Sequence, residues 1–143
     1  MAQDPSGALV LAPRLDAAAR ARRHVSGLLR GWGLDTLLDP VLLLTSEVVT
    51  NALLHSGTTV TLRVERDGPG VRLSVEDGSS VPPVPRRHST TATTGRGVQL
   101  LEAVADDWGW QATAAGKQVW FRVLGEDAWR RAAEWGASSE ADR

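Results

Sequence analysis

The sequence predicts an α+β fold: a two-layer α/β sandwich with a mixed, mostly antiparallel sheet and helices packed on one of its faces. Three observations lead there. Segments with apolar residues at three- and four-residue spacing are interspersed with segments that alternate every second residue. The alternating segments come in pairs joined by short glycine-containing turns, as hairpins rather than regular strand–helix–strand crossovers. The chain has 143 residues, enough for one domain with a sizeable core and little room for a second.

Taken in order, residues 1–7 form a frayed end. Residues 8–12 are a short apolar run closed by Pro13, compatible with an edge strand. A helix follows from Asp16, which can cap it. Ala17, Ala18, Ala21, Val25, Leu28 and Leu29 form its apolar stripe, Arg20, Arg22, Arg23 and Arg30 fill much of the other face, and Gly31-Trp32-Gly33 stops it. A second helix runs over residues 40–55, with Asp39 as N-cap, Pro40 at the first position and Gly57 as the stop. Residues 58–66 and 71–77 are two strands of a hairpin. Val60, Leu62 and Val64 share a face of the first, and Val71, Leu73 and Val75 share a face of the second. Residues 79–94 have no hydrophobic period; a connection of that length inside a small domain is usually functional, the alternative being a disordered surface loop. Gly95-Arg96-Gly97 opens a third helix with Val98, Leu101, Val104 and Ala105 on its apolar face. Residues 107–113 and 118–124 are a last strand pair joined by a turn over 114–117. Residues 126–135 are a short helix and 136–143 a polar tail.

Composition excludes several function classes. There is no cysteine, so disulfides, thiolate metal sites and cysteine nucleophiles are absent. A net charge of −1 gives no chain-wide field toward nucleic acid or membrane. No apolar run is expected to reach the roughly 18–20 residues of a membrane span. The polar start, Met1-Ala2-Gln3-Asp4-Pro5, has no signal-peptide pattern. The expected location is the cytoplasm. Lys117 is the sole lysine among 16 basic residues.

Three places could carry chemistry. Glu47 and Asn51 lie four apart on the second helix and share a face, with His55 one turn later. The helix is apolar nearly all round, hence buried, and a carboxylate and an amide there need partners. Those partners are either neighbouring backbone or a ligand, the amide oxygen suiting a hard cation and the carboxylate a proton. Asp77 continues the parity of Val71, Leu73 and Val75, so it points to the core side and needs a donor. A purine's exocyclic amino group would supply one; an ordinary Asp-Gly turn is the alternative. Gly95-Arg96-Gly97, at a helix start after a polar loop, could present backbone N–H groups to phosphate, or serve as a hinge.

The order of these signals resembles the Bergerat-fold ATP-binding domain shared by gyrase, heat-shock chaperones, histidine kinases and mismatch-repair ATPases. It is most similar to the small anti-sigma-factor serine/threonine kinases and their actinobacterial relatives. Residues 45–56, Thr-Ser-Glu-Val-Val-Thr-Asn-Ala-Leu-Leu-His-Ser, resemble the N box. Val75-Glu76-Asp77-Gly78-Ser79 stands at the first glycine box, and Thr94-Gly95-Arg96-Gly97 with Val98-Gln99-Leu100-Leu101 resembles the second. Residues 103–109 and 116–121 resemble the C-terminal strands. The resemblance implies an ATP-binding domain over residues 8–124, followed by a C-terminal helix and polar tail over 125–143. It implies that Asn51 holds Mg²⁺ on the nucleotide phosphates and that Glu47 is the catalytic base. Asp77 would bind the adenine amino group, Gly95, Arg96 and Gly97 would serve the phosphates, and residues 79–94 would be a lid over ATP. Two departures stand out. Ser79 and Val81 replace the glycines of the usual Asp-x-Gly-x-Gly, and the region of Gln118 lacks the threonine that often assists at adenine.

The function implied is ATP-dependent phosphorylation of a serine or threonine on an anti-sigma-antagonist domain, in transcription regulation. The partners would be a sigma factor, that antagonist, or both, with a homodimer possible and neither nucleic acid nor membrane. The alternative is a nucleotide-gated protein-binding module without kinase activity. Retained Glu47 favours the first and the altered glycine box the second. Residues 14–30 carry five arginines against Asp16, which reads either as a nucleic-acid patch or as a solvated or partner-facing helix face.

Overall fold

Alternating burial along the strands decides which face of the sheet is covered. In the computed structural model, which describes residues 7–79, 92–125 and 127–141, a short strand β1 (Leu9–Leu11) leads into helix α1 (Ala17–Gly31). A 3₁₀ turn at Asp35–Leu37 runs directly into helix α2 (Leu38–Ser56). Strands β2 (Val60–Asp67) and β3 (Gly70–Asp77) follow as a hairpin. Helix α3 (Ala92–Val104), strands β4 (Asp107–Ala112) and β5 (Lys117–Val123) and helix α4 (Asp127–Ala141) complete the described chain.

The sheet has the order β1-β2-β3-β5-β4. Among the described residues every pairing is antiparallel, so the mixed character expected from the sequence is not seen. The path through α3 carries the chain beyond β3 to the edge position of β4, and the β4–β5 hairpin then brings β5 back against β3. Register is set by burial. Val60, Leu62 and Val64, Val71, Leu73 and Val75, and Val119, Phe121 and Val123 all lie on the inner face and are buried. Each stabilises the fold by about 1.5–3 kcal/mol relative to exposure, and a one-residue slip would turn a whole strand's set outward. The helices cover that face, with α1 against β1 and β2, α2 across β2, β3 and β5, and α3 against β4. The face that the described helices leave open is mostly polar. There Arg72 stacks on the Trp120 ring at 4.7 Å, and Arg122 donates to Asp67 from β5 to the end of β2.

Of the boundaries that differ from expectation, four bear on the site or the core. Helix α2 starts two residues early, out of the 3₁₀ turn, with Leu37 at its N-cap position and no side-chain cap. Asp39 therefore lies in the first turn, where its charge still complements the helix dipole. At the other end Gly57 (φ +63°) makes the left-handed exit, its N–H donating to the Leu53 carbonyl at 3.0 Å. Helix α3 starts at Ala92, ahead of Gly95-Arg96-Gly97. Strand β5 starts at Lys117, one residue earlier than expected. Helix α4 runs to Ala141 where a tail was expected, with Ala128 in the core. Arg131 fastens α4 by donating from Nε to the Val104 carbonyl at 3.0 Å, with Asp106 3.1 Å from its Nη2.

The stretch Asp35–Ser56 is long and apolar enough to cross a membrane by length and composition alone, contrary to expectation. In the fold it is the central core helix: Val41, Leu44, Val48, Val49 and Ala52 are buried under α1, the sheet and the other helices.

Candidate functional site

Helix α2 and strand β3, which pack against each other, carry Glu47, Asn51 and Asp77. Helical spacing puts Glu47 and Asn51 one turn apart on α2, and both are half-buried. The helix turn before them is closed by Thr45, which is fully buried and donates its hydroxyl back to the Val41 carbonyl at 2.7 Å. Arg22 reaches across from α1 and donates to the Ser46 hydroxyl at 3.0 Å. One arginine of the α1 face is thereby spent on the helix carrying Glu47. His55, in the last turn of α2, is exposed.

The Asn51 amide oxygen is enclosed and has no hydrogen-bond partner among the described residues. Burying an amide without a partner is costly. A hard oxygen acceptor left open in this way fits a cation such as Mg²⁺. No three His, Asp or Glu side chains converge on a possible metal position among the described residues. A cation at Asn51 would therefore draw most of its shell from oxygens other than protein carboxylates.

Asp77 ends β3 on the inner face, as its parity required, and is buried. The donor it needs comes from within the chain. Register pairs Asp77 with Lys117 at the start of β5, and Lys117 Nζ donates to Asp77 Oδ2 at 2.7 Å. The other oxygen accepts the Ser79 N–H at 2.7 Å. The two side chains are 6% and 2% exposed for Lys117 and Asp77, so this is a buried ion pair. Gly116 permits it. A Cβ there would lie 2.3 Å from the Asp77 carbonyl oxygen and 2.8 Å from Gly78 Cα, backbone atoms that cannot swing aside. The next turn is also anchored, since the Thr58 hydroxyl accepts the Gly78 N–H at 3.1 Å.

Lys117 was not among the residues singled out. With β5 read as beginning at residue 118, Lys117 falls in the turn before it. The signal was present: it is the chain's sole lysine, and it continues the parity of Val119, Phe121 and Val123.

Gly95, Arg96 and Gly97 lie within α3 rather than at its opening. The amides a helix leaves free belong to its first turn, here residues 92–94, so the two glycines do not supply them. Of the loop expected to form a lid, Ser79 hydrogen-bonds Asp77 and residues 92–94 are helical; residues 80–91 lie outside the described residues.

An antiparallel sheet covered on one face by helices, with an asparagine-bearing core helix packed against a strand that ends in a buried aspartate, has the make-up of an ATPase-type sandwich. Residues 11–123 match the histidine kinase-like ATPase domain, and the chain belongs to that family. No curated protein matches the chain at a significant level. The family assigns it ATP binding and a regulatory role.

Proposed function

We propose that this protein is an ATP-dependent serine/threonine protein kinase of the anti-sigma-factor type, acting in the cytoplasm on an anti-sigma-antagonist domain. The observation that carries the reading is the α2 constellation: Glu47 one turn ahead of Asn51, whose enclosed amide oxygen has no partner among the described residues. Asn51 would hold Mg²⁺, which neutralises charge on the nucleotide phosphates. Glu47 would accept the proton of the acceptor hydroxyl as it attacks. Catalysis of this kind rests on positioning and electrostatics more than on covalent chemistry by the protein. A sigma factor and a second copy of the chain are further partners in this proposal. The test is incubation of the protein with γ-labelled ATP and antagonist domains from the same genome. Label on a serine or threonine of one domain supports the kinase; no transfer to a domain that demonstrably binds removes it.

A second reading, a nucleotide-gated protein-binding module, is favoured by one observation. Both Asp77 oxygens already accept hydrogen bonds from within the chain, which sets an internal competitor against the adenine amino group. In that case the protein would bind partner and nucleotide in a linked way and transfer nothing.

A further inference from the structure

We propose that Lys117 reads the nucleobase together with Asp77, its ammonium donating to the ring nitrogen beside the amino group that Asp77 accepts from. This rests on the ATP-binding reading above and names how that site recognises its base.

The argument begins with what the ion pair leaves unused. An ammonium has three N–H donors, and a carboxylate about four acceptor positions. Lys117 Nζ has one acceptor among the described residues, Asp77 Oδ2. Among the same residues Asp77 takes one further hydrogen bond, from the Ser79 N–H. Two ammonium donors and about two carboxylate acceptor positions therefore remain, side by side, on groups almost wholly removed from water. A buried pair kept only for stability needs its remaining groups satisfied, since the desolvation cost is otherwise not recovered. Backbone carbonyls could have done this, and none does so among the described residues.

What remains is an edge that accepts at one atom and donates at its neighbour. The Watson–Crick edge of adenine is its complement: the exocyclic N6 amino group donates and the adjacent ring N1 accepts. The pair stands on the inner sheet face, at the common end of β3 and β5, beneath the helix layer that contains Asn51. The close approach at Gly116 holds Lys117 in that position against Asp77 and Gly78. On this proposal the ammonium does not displace the base. It adds a charge-assisted hydrogen bond, which typically contributes about ten- to hundredfold in affinity.

The test uses wild-type protein and three nucleotides in calorimetric titration: ATP, 1-deaza-ATP, in which C–H replaces N1, and purine riboside triphosphate, which lacks the amino group. The proposal expects ATP to bind, and both analogues to bind about tenfold or more weakly. In Lys117→Met, checked for folding by circular dichroism, ATP and 1-deaza-ATP should bind alike, because the partner of N1 is gone. Wild-type protein that binds 1-deaza-ATP as tightly as ATP overturns the role of Lys117 while leaving ATP binding intact. So does a folded Lys117→Met variant that binds ATP as tightly as wild type or more tightly, which would make the lysine a competitor for Asp77. Wild-type protein that binds none of the three removes the ATP-binding reading and this inference with it. The analogue comparison in wild-type protein decides the question even where the variant fails to fold.

Discussion

Replacing Lys117 with methionine keeps an unbranched side chain one atom shorter and removes its charge. Asp77, with a side chain 2% exposed, is then left with a single donor among the described residues, the Ser79 N–H. Breaking a buried ion pair by removing one partner costs about 3–5 kcal/mol, most of it the penalty of the charge left behind. The unfolding entropy of a 143-residue chain is about 0.3 kcal/mol per kelvin, so the expected fall in Tm is about 10–17 °C. Removing both charges in Asp77→Leu/Lys117→Met leaves nothing charged to bury. The double variant should therefore lose about 2–3 kcal/mol less than the sum of the two single losses. The assay is urea unfolding at neutral pH of wild type, both single variants and the double, read as a double-mutant cycle. Additive losses, or a Lys117→Met loss below about 1 kcal/mol, would show that the two groups are not the coupled buried pair described above.

Gly116→Ala should destabilise the protein by about 1–3 kcal/mol, as overpacking does. The added carbon would meet the Asp77 carbonyl at 2.3 Å, and a Tm unchanged from wild type would contradict that close approach. On the open face of the sheet, the Arg122 guanidinium donates to Asp67 and holds its carboxyl below the usual value. A depressed pKa contributes stability above the unfolded value of about 3.9 that is lost as pH falls through the folded value. Asp67→Asn should therefore be less stable than wild type at pH 7, with the gap closing below about pH 4; a gap that persists in acid argues against the ion pair. Glu47→Gln should retain nucleotide and partner binding and lose phosphoryl transfer by about 10²–10⁴-fold, the usual contribution of a general base. Undiminished transfer by this variant would remove Glu47 from that role.

Much of this architecture is legible in local pattern, because burial acts on neighbouring residues in a strand or helix. The parity of Val71, Leu73 and Val75 placed Asp77 on the inner face, where it lies. Gly57 marked the end of α2, and the backbone there adopts the left-handed conformation. The donor to Asp77 was not legible in the same way. It comes from a residue forty positions along the chain, brought alongside only because β5 inserts between β3 and β4. No local period reports that strand order. The start of α3 is not legible, because glycine after a polar loop reads as a helix opening while the helix begins three residues before Gly95. The sequence Ala92-Thr93-Thr94 ahead of it shows no apolar spacing, yet is helical. The end of helix α4 is hidden for a related reason: Ala137-Ser138-Ser139-Glu140-Ala141 offers no hydrophobic stripe, yet the helix runs to Ala141.

The site on α2 and β3 is tested most directly by titrating the protein with ATP in the presence and absence of Mg²⁺, with Asn51→Ala alongside. If the enclosed Asn51 oxygen is completed by a nucleotide-bound cation, wild-type protein should bind ATP more tightly with Mg²⁺ than without. Asn51→Ala should lose that difference while keeping its fold. No heat of binding at millimolar ATP, or a Mg²⁺ effect that survives Asn51→Ala, would contradict it.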